Sequence, residues 1–284
     1  MLATFNEILP LLESKDVCVP ALDIGGCQQD FLLGVVRACG EARCPAVMLI
    51  WGPAAENYMG LDATAALVSH YGETSPVPLV LHLDHGSEEL VRKALDVGFR
   101  SVMFDGSDLP LEENIALTRE MAELAHEHGA SIEGELGKFG REQAEEAGDA
   151  ALTDPEEAER FVRETEVDIF APAVGNAHGF YKAPPRLRFG LIEDIAGRTG
   201  VPLSLHGGTG IPLEDVRRAG RLGMRKINVA SQLHRDFSNA MKAANAEVDD
   251  RKFSWGRALR AGREAIHERA AEYIRELACE GLVP

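Results

Sequence analysis

The chain has 284 residues, 45% hydrophobic and 26% charged, the profile of an ordinary globular protein, so disorder is excluded as a whole-chain reading. Its 29 Lys and Arg stand against 46 Asp and Glu, a net charge of −17, which argues against nucleic acid and anionic membrane as partners. No apolar run approaches the ~18–20 residues of a membrane span, and Met1 to Glu7 show no basic-then-apolar leader.

Short runs of β-type residues recur along the chain, at 17–21, 46–50, 79–83, 101–104, 131–135, 168–172, 202–205 and 226–229. They are apolar on both faces, as buried parallel strands are, and lie about one βα unit apart. Helical signals fill the gaps. Ser87 is a candidate N-cap with Gly98 closing the segment, and 111–128 is long and amphipathic. Pro155 stands at a helix start, and 212–222, 233–248 and 255–279 complete the series. No linker or composition break divides residues 1–284, so the sequence predicts one (β/α)₈ barrel domain with extra C-terminal helices. An open doubly wound sheet is the alternative, but no dinucleotide fingerprint accompanies it. The five cysteines (Cys18, Cys27, Cys39, Cys44, Cys279) form no C-x-x-C pair, which fits reduced thiols and a cytoplasmic location.

In such a barrel the chemistry sits at the C-terminal ends of the strands. Polar and titratable residues gather at that edge: Asp23, Trp51, Asp84, His85, Asp105, Glu135, then 176–182, 206–210 and 228–231. Three of the nine histidines belong to it, His85, His178 and His206, each beside a glycine. Three imidazoles from separate strand ends plus an open position suit a catalytic zinc; a hydrogen-bonded loop histidine is the bland alternative for any one alone. His126 and His128 close a long helix. His70, His234 and His267 read as solvated, and His82 as a satisfied barrel-interior histidine. The loops after the seventh and eighth strands, His206 to Gly210 and Asn228 to Ser231, stand where such barrels bind phosphate. Their glycines let backbone N–H groups approach an anion, Thr209 and Ser231 add hydroxyls, and Lys182 would add charge.

Six stretches carry a more specific signal. They are Pro78-Leu-Val-Leu-His-Leu-Asp-His-Gly86, Ser101-Val-Met-Phe-Asp-Gly-Ser107 with Glu112-Glu-Asn-Ile115, and Glu133-Gly-Glu-Leu-Gly137. Gly175-Asn-Ala-His-Gly-Phe-Tyr-Lys182, His206-Gly-Gly-Thr-Gly210 and Lys226-Ile-Asn-Val-Ala-Ser231 complete the set. In residues and order the chain resembles the class II metal-dependent aldolases of the fructose-bisphosphate and tagatose-bisphosphate type. The resemblance implies reversible aldol cleavage of a ketose phosphate to dihydroxyacetone phosphate and an aldehyde such as glyceraldehyde 3-phosphate. His85, His178 and His206 would hold Zn²⁺, and Asp84 would move the hydroxyl proton at the reacting C–C bond. Asp105 and Glu135 match positions for a second divalent ion. Gly179, Lys182, Gly207, Gly208, Thr209, Asn228, Val229, Ala230 and Ser231 would hold dihydroxyacetone phosphate. A monovalent cation near the glycine carbonyls and a homodimer or homotetramer are further implications.

Three places depart from the family pattern. Asp23 replaces an asparagine after the first strand, and Trp51-Gly52-Pro53 replaces a small hydroxyl residue after the second. Both fall on the acceptor side, so an aldehyde that is bulkier, or lacks a second phosphate, is among the expectations. The loop after the fifth strand carries Gln143 where the family has the glutamate that takes the ketone's α-proton. Glu142, one place earlier, is expected to take over; a different base, or a weakened reaction, is the alternative. Two other functions remain open: a non-catalytic sugar-phosphate-binding or regulatory member, and a metal-dependent sugar-phosphate isomerase or epimerase.

Overall fold

The computed structural model describes residues 2–55, 57–137, 152–181, 185–246 and 254–284. Eight parallel strands close into a barrel in chain order. They are β1 (Val19–Asp23), β2 (Ala46–Trp51), β3 (Leu79–Gly86), β4 (Ser101–Phe104), β5 (Ser131–Leu136), β6 (Ile169–Pro172), β7 (Leu203–Leu205) and β8 (Met224–Val229). Helix α1 (Phe5–Glu13) precedes them, and α2 (Gln29–Ala42) joins β1 to β2. The pair α3 (Gly52–Ala55) and α4 (Leu61–Gly72) leads to β3, followed by α5 (Glu88–Asp96) and α6 (Leu111–Glu127). Then come α7 (Pro155–Thr165), α8 (Phe189–Thr199), α9 (Leu213–Gly220), α10 (Ser231–Ala246) and α11 (Trp255–Glu276). This is the (β/α)₈ barrel with extra C-terminal helices that the sequence predicts.

Local chemistry sets the elements. Ser87 accepts from the Leu90 N–H to cap α5, and Asp154 caps α7 just ahead of Pro155. Helix α1, which the sequence reading did not single out, begins with a reciprocal Thr4–Glu7 capping box. It closes the far end of the barrel: Ala3 N–H donates to Leu79 O and Phe5 N–H to Ser131 Oγ, both at strand starts. Helix α11 ties itself to α2 through Arg263–Asp30 and to α10 through Arg269–Asp236. All five cysteines are buried and free. Among the described residues no helix is long and apolar enough to cross a membrane.

Two differences from the sequence reading matter for the site. Strand β1 runs to Asp23 rather than ending at Ala21, and β3 runs through Asp84 and His85 to Gly86. Pairing explains the second: Trp51 of β2 registers with Asp84. On its other side β3 slips against β4 between Leu83 and Gly86, and His85 takes a left-handed φ of 52°. Strand alternation would send adjacent side chains to opposite faces; the bulge turns both Asp84 and His85 to the barrel mouth.

The barrel interior is not uniformly aliphatic. His82, Ser101, Ser131, Glu133 and Lys226 form a buried polar layer inside it. Lys226 Nζ lies 2.9 Å from Glu133 Oε2 and donates to Asn228 Oδ1 at 2.8 Å, and Asn228 Nδ2 donates to Asp84 Oδ1 at 2.9 Å. A continuous polar chain thus runs from the middle of the barrel to its mouth. His82 Nδ1 shares a hydrogen bond with Ser101 Oγ at 2.8 Å, and burial lowers its pKa to about 3. It is the barrel-interior histidine expected, but only half satisfied: among the described residues its buried Nε2 has no hydrogen-bond partner.

Candidate metal centre and active site

A cavity of about 1120 Å³ opens at the C-terminal ends of the strands. Asp84, His85, His178 and His206 line it together with the loops after β6, β7 and β8. His85 comes from the bulged end of β3, His178 from the segment after β6, and His206 from the residue after β7. One nitrogen from each of the three lies within 4.8 Å of the others. Their ring centroids are 4.9 to 5.8 Å apart.

The hydrogen bonds fix which nitrogens face inward. His85 Nδ1 meets Asp105 Oδ2 at 2.7 Å, and His206 Nε2 meets Glu133 Oε1 at 2.8 Å. With those positions donating, His85 Nε2 and His206 Nδ1 turn their lone pairs to a common centre, 3.1 Å apart. Two nitrogens bound tetrahedrally at a Zn–N distance of ~2.0–2.1 Å would stand about 3.3 Å apart. The donor set therefore fits zinc.

The charges fit as well. Burial would lower His85, but Asp84, Asp105 and Glu135 outweigh it and raise its pKa to about 9. Three carboxylates make this spot favourable to positive charge, whether a proton or a metal ion. Burial and the neighbouring imidazoles hold His178 down to about 4, so it is a neutral donor at pH 7. Glu135 is buried, with Oε2 3.8 Å from His85 Nδ1, 3.9 Å from His206 Nδ1 and no hydrogen-bond partner. Burial first, and then Asp105, push its pKa well above the usual range. His85, Asp105 and Glu135 form a second group with ligand atoms within 4.8 Å of one another.

Asp84 sits beside the three imidazoles. Burial would raise its carboxyl, but His85, His206 and Lys226 together hold it below the ordinary range. It is a proton acceptor at neutral pH.

The loops after β6, β7 and β8 are locked to one another. Ala177 N–H donates to the Tyr181 hydroxyl at 2.8 Å, and that hydroxyl donates to Gly207 O at 2.9 Å. Burial lifts Tyr181 to about 12, so it keeps its proton. Gly207 has a φ of 65°, and a Cβ there would stand 1.9 Å from Ala177 O, so only glycine allows this approach. Thr209 Oγ1 accepts from Gln232 N–H at the start of α10, which leaves its own proton to donate. Gly179, Gly207, Thr209, Asn228, Ala230 and Ser231 line the cavity. Gly208 and Val229 stand behind it, Gly208 donating to Asn228 O and Val229 fully buried. Lys182, Glu142 and Gln143 lie outside the described residues.

Residues that the sequence reading did not assign complete the picture. Glu133 orients His206, and Lys226 with His206 holds the Glu133 carboxyl well below its usual range against burial. His234, expected in solvent, is exposed but lines the cavity and pairs with Asp23 at 3.2 Å. That bond raises its pKa. His267, also expected in solvent, is bonded to Glu41 at 2.8 Å with its side chain 15% exposed.

Residues 3–282 match the family described as fructose-bisphosphate aldolase class-II. A probable fructose-bisphosphate aldolase of Bacillus subtilis (strain 168) is 37% identical over 97% of each chain. A fructose-bisphosphate aldolase of Geobacillus stearothermophilus is 38% identical over 87% of each. The crystal structure of the YdjI aldolase from Escherichia coli K12 superposes with a TM-score of 0.87 over 100% of both chains, at 29% identity.

Proposed function

We propose, from the premise that the chain belongs to the class II fructose-bisphosphate aldolases, that it is a zinc enzyme cleaving or joining dihydroxyacetone phosphate and an aldehyde. The observation that carries the reading is the convergence of His85 Nε2 and His206 Nδ1, 3.1 Å apart, with His178 beside them and Asp84 next in the wall. His85, His178 and His206 would hold the zinc, which when bound supplies a Lewis acid to the carbonyl and hydroxyl oxygens of the donor. Such a site needs no lysine Schiff base.

The chain's own residues do the rest. Asp84, held ionised, accepts the proton of the hydroxyl at the breaking C–C bond and returns it to the aldehyde oxygen in the reverse direction. Asn228 donates to Asp84 and so fixes the oxygen that faces the substrate. The donor's phosphate is assigned to the loops after β6, β7 and β8: the backbone at Gly179 and Gly207, the hydroxyls of Thr209 and Ser231, and the N-terminus of α10. Gly208 and Val229 shape these loops from behind. Lys182 is assigned to the same phosphate on the sequence alone. The α-proton of the donor is likewise assigned to Glu142. Asp105 and Glu135 are proposed to take a second divalent ion; in the present arrangement Asp105 also orients His85.

The test is carbon–carbon bond formation from dihydroxyacetone phosphate and a panel of aldehydes, with bound zinc measured on the same sample. Product that disappears with a chelator and returns with zinc is the expected result. Zinc held at full occupancy with no product from any aldehyde would sink the reading and favour a sugar-phosphate-binding role.

A further inference from the structure

The aldolase reading divides the cavity wall, and the part it leaves over has its own chemistry. The imidazoles stand over β3, β6 and β7, and the phosphate seat lies over β7 and β8. An aldehyde whose oxygen meets Asp84 must lay the remainder of its chain on the adjoining wall. The register identifies that wall: Trp51 lies beside Asp84 across β2 and β3, and Asp23 lies beside Leu49 across β1 and β2.

Asp23 is 5% exposed, yet it lines the cavity. Its Oδ1 is engaged, accepting from Gly25 N–H and pairing with His234 Nε2. Its Oδ2 takes no hydrogen bond from the described residues. Trp51 is 48% exposed at the same edge and offers a flat apolar face. A carboxylate oxygen is an acceptor only, so it is suited to hydroxyl donors. A terminal phosphate would bring more acceptors and the same sign of charge.

The cations nearby do not change that balance. His234 is spent on Asp23. Arg235 lies one helical turn after Ser231, 4.3 Å over the Phe180 ring, and also donates to Gln232. It stands on the donor's phosphate side. Among the described residues lining the cavity, the only other positive or protonatable nitrogens are those of the three clustered imidazoles.

We infer, resting on the aldolase reading, that the acceptor is a neutral, hydroxyl-bearing aldehyde without a terminal phosphate, and that Asp23 is the specificity-determining residue. Asp23 Oδ2 receives an acceptor hydroxyl, Trp51 covers the C–H side of the chain, and an anionic end is turned away.

The experiment pairs aldehydes of equal length with dihydroxyacetone phosphate and the zinc-loaded full chain: glyceraldehyde against glyceraldehyde 3-phosphate, and erythrose against erythrose 4-phosphate. The neutral member of each pair should have a kcat/KM at least ten-fold higher. Asp23→Asn keeps the side-chain shape while removing the charge, and should narrow that ratio at least ten-fold, mainly through KM. Should Asp23→Asn not fold, Asp23→Ser, which also removes the charge, reads the same change in ratio. Exchange of the α-proton of dihydroxyacetone phosphate with deuterated water, measured with no aldehyde present, separates the two levels. Exchange with equal or better use of the phosphorylated members, with no product from the neutral ones, or with a ratio unmoved by Asp23→Asn in folded protein overturns the acceptor inference alone. No exchange and no product overturns the aldolase reading and this inference with it.

Discussion

Two arcs of the same barrel mouth are built on opposite principles. Over β7 and β8 the wall is backbone: Gly207 and Gly208 pressed against neighbouring carbonyls and side chains, Thr209 tied to the start of α10, and Tyr181 clipping one loop to the next. Over β1 and β2 the wall is side chain: a carboxylate with one oxygen engaged and a half-exposed indole. A backbone wall presents N–H donors in fixed positions and suits a constant anionic group. A side-chain wall can change one residue at a time without disturbing the barrel. On the proposed reading, the difference teaches that donor recognition would be built into the fold here, whereas acceptor recognition would be carried by replaceable side chains.

Between the arcs stands the candidate metal centre, and the sharpest break of the comparison is to remove it. His85→Ala, His178→Ala or His206→Ala should each abolish zinc binding and carbon–carbon bond formation, as read by metal analysis and product assay. Full occupancy in any one variant would remove that histidine from the ligand set.

Asp84→Asn should retain zinc and slow bond formation and cleavage by about 10²–10⁴-fold, the span of a positioned acid–base group. Proton exchange at the donor should suffer less than cleavage, because the division of roles puts the α-proton elsewhere. Equal loss of both would merge the two roles into one.

Glu142→Gln sharpens the donor side. Loss of about 10²–10⁴-fold in donor proton exchange with unchanged zinc content is expected if this carboxylate is the base. Exchange at the wild-type rate would leave Glu142 as surface charge.

Glu133→Gln tests the buried polar layer. It removes a charge that Lys226 and His206 both face, and should weaken zinc affinity by about 10–100-fold, as loss of a carboxylate partner of a ligating histidine does. Zinc titration against a competing chelator reads this directly. An unchanged affinity would reduce Glu133 to a partner of Lys226.

The smallest expected effect is Ser231→Ala. Losing one hydroxyl donor to the phosphate should raise the KM for dihydroxyacetone phosphate by roughly 5–10-fold, the net worth of one ordinary, solvent-competed hydrogen bond. The ratio between neutral and phosphorylated aldehydes should not move, since Ser231 belongs to the donor arc. A shift in that ratio would mean that the arcs are not separate.

The sequence made the architecture legible because each strand is a short apolar run and each run ends in polar residues at one edge. It made the three histidines legible for the same reason. What it hid was geometry that periodicity cannot express. The end of β3 could not be placed, because a bulge with His85 in a left-handed conformation continues the strand past an apparent polar loop. Glu133 and Lys226 stand inside the motifs, but the motifs alone do not reveal their roles. A signal existed: Glu133 and Glu135, like Lys226 and Asn228, are two apart in strands, so each pair shares a face. Charged residues on a strand face pointing into a barrel have to find one another. His234 reads as solvated because a helix periodicity says nothing of Asp23, 211 residues away in sequence.

The central claim is that zinc on three histidines, with the backbone arc over β7 and β8, activates dihydroxyacetone phosphate whatever the aldehyde. The most direct test is deuterium entry at the α-carbon of dihydroxyacetone phosphate in deuterated water, followed by proton NMR with zinc-loaded wild-type and His206→Ala protein. The account predicts exchange by the wild type that stops on chelation and is absent in the variant. No exchange by wild-type protein carrying its full zinc, or equal exchange by the His206→Ala protein, would contradict it.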